Sequence, residues 1–278
     1  MHDRSSLDFG QQDLRNCSFR KHNLSGANFA KADIRGCNFR NASLVGANFS
    51  DARAGLTWKQ VISLGIPTIG VAALSLEAAI DSGFGALGKT ATDPSWPYVV
   101  ALMVTLSLAG IGSGIKAIAS GRIGSIAGIL SGVVSGAFLG FFYAGIFSDL
   151  NSTMAILGAV VGGLLMLPVT VRYRNRVLLD LVVAVAGTIF SYGFALFIGT
   201  WAIAHGSVGM HATAIPFGLV CLLYLWLTLE SSAFVIRLWK SNLGTSFEGA
   251  DLTDARFDGA RLERTHFDRT TGYPGDGN

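Results

Sequence analysis

The chain has 278 residues, of which 50% are hydrophobic and only 14% charged, with 35 glycines, three cysteines and a formal net charge of +3. An ordinary soluble domain carries about 25% charged residues, so this is not one. Three cysteines make no metal-ligand pattern, and the small positive balance gives no reason to expect nucleic acid.

Nine five-residue units run without a gap from Leu7 to Asp51, reading LDFGQ-QDLRN-CSFRK-HNLSG-ANFAK-ADIRG-CNFRN-ASLVG-ANFSD. Their centres are Phe9, Leu14, Phe19, Leu24, Phe29, Ile34, Phe39, Leu44 and Phe49, and most units carry Ala or Cys two positions earlier. A helix repeats its apolar residues every three or four positions and a strand every two. A period of five fits neither and marks a solenoid.

The next stretch is apolar and glycine-rich. Membrane spans need ~20 mostly apolar residues, and six segments qualify, at about 60–80, 97–119, 122–147, 152–171, 177–203 and 213–238. The second and third are so close that five spans with one re-entrant element is the alternative count. Nothing before them resembles a cleaved signal peptide. Arg53, Lys59, Lys116, Arg122, Arg172, Arg174, Arg176, Arg237 and Lys240 flank one set of span ends, and the loops at the other ends hold only Lys89 as a basic residue. The positive-inside rule then predicts both termini in the cytoplasm.

Five further units, TSFEG-ADLTD-ARFDG-ARLER-THFDR, follow at 245–269, centred on Phe247, Leu252, Phe257, Leu262 and Phe267. If Ala54 is the tenth centre and Phe247 the eleventh, phenylalanines fall on phenylalanine faces throughout. That register puts Phe247 over Phe39 and Phe257 over Phe49. A mismatch of large and small core residues costs ~1–3 kcal/mol per site, which favours this register over its neighbour.

The small-x-large units resemble the pentapeptide-repeat family, A-(D/N)-(L/F)-x-x, over about seventy residues. The resemblance implies a right-handed quadrilateral β-helix with four units per coil, so that residues twenty apart stack. The fold class expected is therefore mixed: this β-helix formed by both termini, plus an α-helical transmembrane bundle. The expected boundaries are 1–54 for the first β-helix part, 55–240 for the membrane domain, 241–270 for the second part and 271–278 for a tail. Joined, the two tracts would clasp the first and last spans. Cys17 and Cys37 become stacked, reduced core residues. Members of this kind are common in cyanobacteria, which implies a bacterial plasma membrane or a thylakoid.

Some soluble family members mimic DNA with an acidic rod. Here 1–56 carries eight basic and five acidic residues and 241–278 four and seven, so the joined rod is neutral and DNA mimicry is not expected. The opposite signs favour docking of one tract on the other.

Gly124, Gly128, Gly132, Gly136 and Gly140 recur every four residues on the third span. Such a stripe predicts close helix packing, with Gly110, Gly114, Gly158 and Gly162 as matching faces. Glu230 is the candidate intramembrane carboxylate site, expected to pair with a basic residue such as Arg237, seven positions on, or with a polar group of a neighbouring helix. Ser113 with His205 or His211 does not meet the order of an intramembrane serine protease. There is no phosphate loop, zinc spacing or dinucleotide fingerprint. No catalytic, cofactor-binding or metal residue is assigned. The expectation is a non-enzymatic membrane scaffold or assembly factor, with a channel or transporter gated by the β-helix as the alternative. Its partners are the lipid bilayer and an unidentified protein or a second copy, and Arg15, Arg20, Arg35 and Arg40 are outward positions for such a contact.

Overall fold

A computed structural model describes residues 7–173 and 176–273. The chain divides into two compact units, Met1–Ile66 with Trp239–Asn278, and Pro67–Leu238. Arg174, counted above among the orienting charges, and the end of the expected tail lie outside the described residues.

In the first unit every pentapeptide closes on a tight turn. The Gln12 N–H donates to the Phe9 carbonyl at 3.3 Å, Cys17 to Leu14 at 3.0 Å and Ala32 to Phe29 at 3.1 Å. The second residue after each centre has positive φ, at 60° for Gln11, 59° for Lys31, 58° for Asp51 and 74° for Gly26. Such a φ at the third position of a four-residue turn is the type II geometry, which suits Gly and Asn. Short polar side chains then hold the corner, as where Asn28 Oδ1 accepts from the Ala30 N–H at 3.1 Å.

Residues twenty apart pair in parallel, giving four ladders. Asp8, Asn28, Asn48 and Arg256 form one, and Asp13, Asp33, Arg53 and Arg261 the next. Ser18, Asn38, Ser246 and His266 form the third, and Asn23, Ser43, Asp251 and Thr271 the fourth. Each ladder passes from the first tract into the second. Only Thr245–Ser246 (β1) and Thr265–His266 (β2) are strands longer than a single bridge among the described residues.

Phenylalanines fill two of the interior columns. Phe9, Phe29, Phe49 and Phe257 stack with centroids 4.9, 4.9 and 5.0 Å apart. Phe19, Phe39, Phe247 and Phe267 stack at 5.1, 4.9 and 5.3 Å. The columns meet edge to face, as at Phe29–Phe39, 5.5 Å and 85°. Phe247 therefore lies on Phe39, in the register that counts Ala54. Complete burial of Phe29, Phe39, Phe49 and Phe247 contributes about 1.5–3 kcal/mol each, with ~0.5–1.5 more for ring pairing. Tyr273 stacks on Phe267 at 4.0 Å and covers the last coil.

The same unit holds the start of α1 (Trp58–Ala86) and the end of α6 (His211–Asn242). Gln60 Nε2 donates to the Gly36 and Gly244 carbonyls at 3.4 and 3.2 Å, and its Oε1 accepts from the Gly244 N–H at 3.1 Å. Gly65 packs beside the Trp239 ring. The repeats thus tie the two helices together. These contacts carry the compact unit about two helical turns beyond the expected boundary at 54. Gly244 has a φ of +105°, and a Cβ there would collide with the Arg264 carbonyl.

Pro67–Leu238 is helical. Besides α1 and α6 it contains α2 (Trp96–Ile118), α3 (Gly121–Phe147), α4 (Ser152–Arg172) and α5 (Val177–Ser207). Pro97 sits in the first turn of α2, where its missing N–H costs nothing. Asn151 caps α4, its side chain accepting from Thr153 and Met154. An extended Ala119–Ser120 and a positive φ at Gly121 separate α2 from α3, so the two are distinct helices. All six helices are long and apolar enough to cross a membrane, as an integral membrane protein requires. α1, α5 and α6 run to 29, 31 and 32 residues, longer than expected. α5 is central, with Leu181, Phe190, Ala195 and Ile198 buried against its neighbours, and α3 packs most extensively on α4.

Candidate functional site

The outer wall of the repeats is polar and held by local pairs. Arg15 and Arg35 each fork onto the carboxylate two residues before, at 2.6 Å to Asp13 and 2.6 Å to Asp33. The Arg15 hydrogen bonds hold Asp13 at about 2, and those of Arg35 hold Asp33 below the usual carboxylate range. The Thr253 hydroxyl and N–H do the same for Asp251. Arg40 joins the tracts, with Nε 2.9 Å from Glu248 Oε2 and a terminal nitrogen donating to the Ser241 carbonyl at 3.1 Å. Of the four arginines expected to face a partner, only Arg20 makes no salt bridge among the described residues. Arg20 and Lys21 stand exposed on the first coil.

The repeat-core positions all belong to one cluster. Leu14, Leu24, Phe29, Ile34, Phe39, Leu44, Phe49, Phe247 and Leu252 are buried, and Phe9, Phe19, Phe257, Leu262 and Phe267 pack on them half-buried toward the ends. Cys17 and Cys37 are free thiols. Thr245 takes the small slot next to Cys37, a role the Ala/Cys pattern missed. Its hydroxyl donates to the Ile34 carbonyl at 2.8 Å and accepts from the Gly55 N–H at 2.9 Å.

Among the helices the glycine stripe serves several neighbours. Gly136 and Gly140 lie against the backbone of Gly162 and Gly158 on α4, the matching face expected. Gly132 meets Thr170 and Val183, Gly128 the Lys116 stem, and Gly124 the Ala119 carbonyl just before its own helix. Gly110 and Gly114 face Ser191 on α5 and Leu227 on α6 rather than α3. These two are corrections to the expected pairing.

The Glu230 side chain is half-buried and makes no hydrogen bond or ion pair among the described residues. Arg237 donates instead to the Ala117 carbonyl at 3.5 Å. Among the described residues, the ion pair inside the helical unit is Lys116–Asp180, at 3.4 Å. The pair was not expected, because nothing in one sequence reports which helices adjoin.

Sequence reasoning also missed a buried hydroxyl seam. Ser113 and Ser231 lie 2.5 Å apart, Thr188 is 2.7 Å from Ser231, and Thr228 donates to Ser191 at 2.9 Å. Tyr224 and Ser107 are 2.6 Å apart. Such bonds between helices supply adhesion that lipid cannot disrupt, at about 0.6 kcal/mol each. Ser113 is thus spent on packing, and His205 Nδ1 lies against the Trp201 carbonyl. The signal available was the recurrence of Ser and Thr on apolar helices.

The family model for pentapeptide repeats matches residues 7–41, 23–54 and 243–269, with eight copies. Both terminal tracts are pentapeptide repeats. The match to this family leaves the six helices outside it. No curated protein and no solved structure matches the chain. Pentapeptide repeats at both ends of six apolar helices describe a membrane repeat protein.

Proposed function

We propose that this is a non-enzymatic scaffold or assembly factor of a bacterial membrane. Its repeats wind as a right-handed quadrilateral β-helix in the cytoplasm and bind a protein partner on their outer wall. The observation that carries this reading is the passage of all four ladders from one tract into the other. It yields a stiff surface on which Arg15, Arg35 and Arg40 are already held in ion pairs, so a partner meets side chains fixed in advance. Arg20 and Lys21 are adjacent exposed cations of the first tract that make no salt bridge among the described residues. The glycine stripe, occupied by packing, lends the channel reading no support.

The test is co-purification in mild detergent with chemical cross-linking. Arg20→Glu with Lys21→Glu should release a stoichiometric protein partner while leaving the melting temperature unchanged. A bare homo-oligomer that conducts ions in a planar bilayer would overturn the scaffold reading.

A further inference from the structure

The second ladder of the repeats, Asp13, Asp33, Arg53 and Arg261, is charged at every position, whereas the other three carry at most two charged residues each among the described positions. Its side chains line an open groove of about 500 Å³ together with one neighbouring edge, where Lys31 and Asp51 stand exposed. Like charges are stacked along it, Asp13 on Asp33 and Arg53 on Arg261. Facing like charges are destabilising. Arg15 and Arg35 relieve the two carboxylates. Arg53 and Arg261 are exposed and make no salt bridge among the described residues, and neither do Lys31 and Asp51.

The order of these charges names what would compensate them. From the first coil to the last the ladder runs two carboxylates, then two guanidiniums. The edge beside it runs Gln11, Lys31, Asp51 and Gly259. Turning either column end over end about its midpoint sets opposite charges together: Asp13 with Arg261, Asp33 with Arg53, Lys31 with Asp51. The column two residues beyond the ladder, Arg15, Arg35, Gly55 and Glu263, follows the same rule. There Arg15 meets Glu263 and Arg35 meets a glycine. No two like charges face each other, so this surface is complementary to itself, as the isologous contact of a two-fold dimer must be.

We propose that this wall binds the same wall of a second copy, antiparallel, about a two-fold axis running across the ladder. The start of α1 fixes the direction of that axis. The Thr57 hydroxyl donates to Asn16 and Gln60 to the Gly36 carbonyl, so the chain leaves at the edge of the wall away from Lys31 and Asp51. An axis across the wall keeps that edge on the same side in both copies, as two chains anchored in one membrane require. An axis along the coils would put the two α1 starts on opposite sides. Three steps of the strand spacing span only ~14 Å, well below a standard soluble interface. The contact is therefore weak and salt-sensitive, and it forms where a bilayer already holds two copies close together. It is independent of the partner at Arg20 and Lys21, which belong to the next repeat unit and lie outside this groove.

The test co-expresses two differently tagged full-length chains and captures one tag in mild detergent. The parent tags should co-capture, several-fold less when salt is raised from about 50 to about 500 mM. Asp13→Lys and Arg261→Asp, both at exposed positions, should each lower self-capture several-fold. Co-expressed with each other, the two variants should regain it, because Lys then meets Asp and the native Asp13 of one chain meets the native Arg261 of the other. Misfolded chains could not restore one another. Should either variant fail to fold, carbodiimide cross-linking of mixed ordinary and heavy-nitrogen parent chains reads the same contact, as a link from Lys31 of one chain to Asp51 of the other. Parent tags that do not co-capture, capture indifferent to the single substitutions, or capture not restored in the mixture would overturn the proposal. So would a monomeric parent that retains a different protein through Arg53 and Arg261.

Discussion

Cys37 lies in the solenoid core with Sγ donating to the Leu14 carbonyl at 2.9 Å, and burial pushes its thiol up to about 12. At neutral pH it should resist maleimide in the folded protein and react at once when the chain unfolds, as mass spectrometry of labelled peptides would report. Thr245→Val keeps the volume but leaves the Gly55 N–H and the Ile34 carbonyl short of a partner. It should cost about 1–3 kcal/mol of solenoid stability, read from denaturant unfolding. Asp13 and Asp33 titrate with a definite sign. Their folded values are depressed by Arg15 and Arg35, so their contribution is full above the unfolded value of about 3.9 and is lost as pH falls through the folded one. For Asp13 that window runs from about 4 to about 2. The effect is small because the pair is exposed. Thermal melts of Asp13→Asn and Asp33→Asn should differ from the parent at pH 7 and converge with it toward pH 2.

At the scale of elements, the glycines of α3 were legible as a stripe, but their partners were not. A residue advances about 100° around a helix of 3.6 residues per turn, so a repeat of four drifts by about 40° each time. From Gly124 to Gly140 the stripe turns through about 160°, nearly half the circumference, and meets different helices on the way. The consequences of adding a methyl group therefore differ along it. Gly140→Ala pushes a Cβ into the Gly158 backbone, which cannot yield, whereas Gly128→Ala meets only the flexible Lys116 stem. Gly140→Ala should lower stability by about 1–3 kcal/mol, the usual cost of overpacking, and Gly128→Ala by much less. Thermal unfolding in one detergent would compare them.

Across the whole molecule, the charges flanking the helices predict an orientation. In a variant whose native cysteines are replaced, a cysteine at Lys89 should label in intact cells with an impermeant reagent. One at Arg176 should label only after permeabilisation. The reverse pattern would remove the cytoplasmic assignment of the repeats. Six helices were legible because an apolar run long enough to cross a bilayer has few other ways to satisfy its backbone. Their lengths were underestimated at α1, which runs on to Ala86, at α5, which runs on to Ser207, and at α6, which runs on to Asn242.

The register of the joined solenoid was determined by the sequence, because a period of five with alternating Phe and Leu admits one packing without volume mismatch, and Ala54 keeps the count. The count of five or six spans was left open there, and the backbone at Ala119–Ser120 shows α2 and α3 as separate helices. Which side chains meet between helices was decided only by tertiary structure. The Lys116–Asp180 pair, the Ser113–Ser231–Thr188 seam and the lack of a Glu230 partner among the described residues depend on helix neighbours and rotations. Within each tract of the solenoid a residue's neighbour is twenty positions away, and the same period carries the count from one tract into the other. In a helical bundle the neighbour lies on another segment at no fixed separation, and only the packed structure names it.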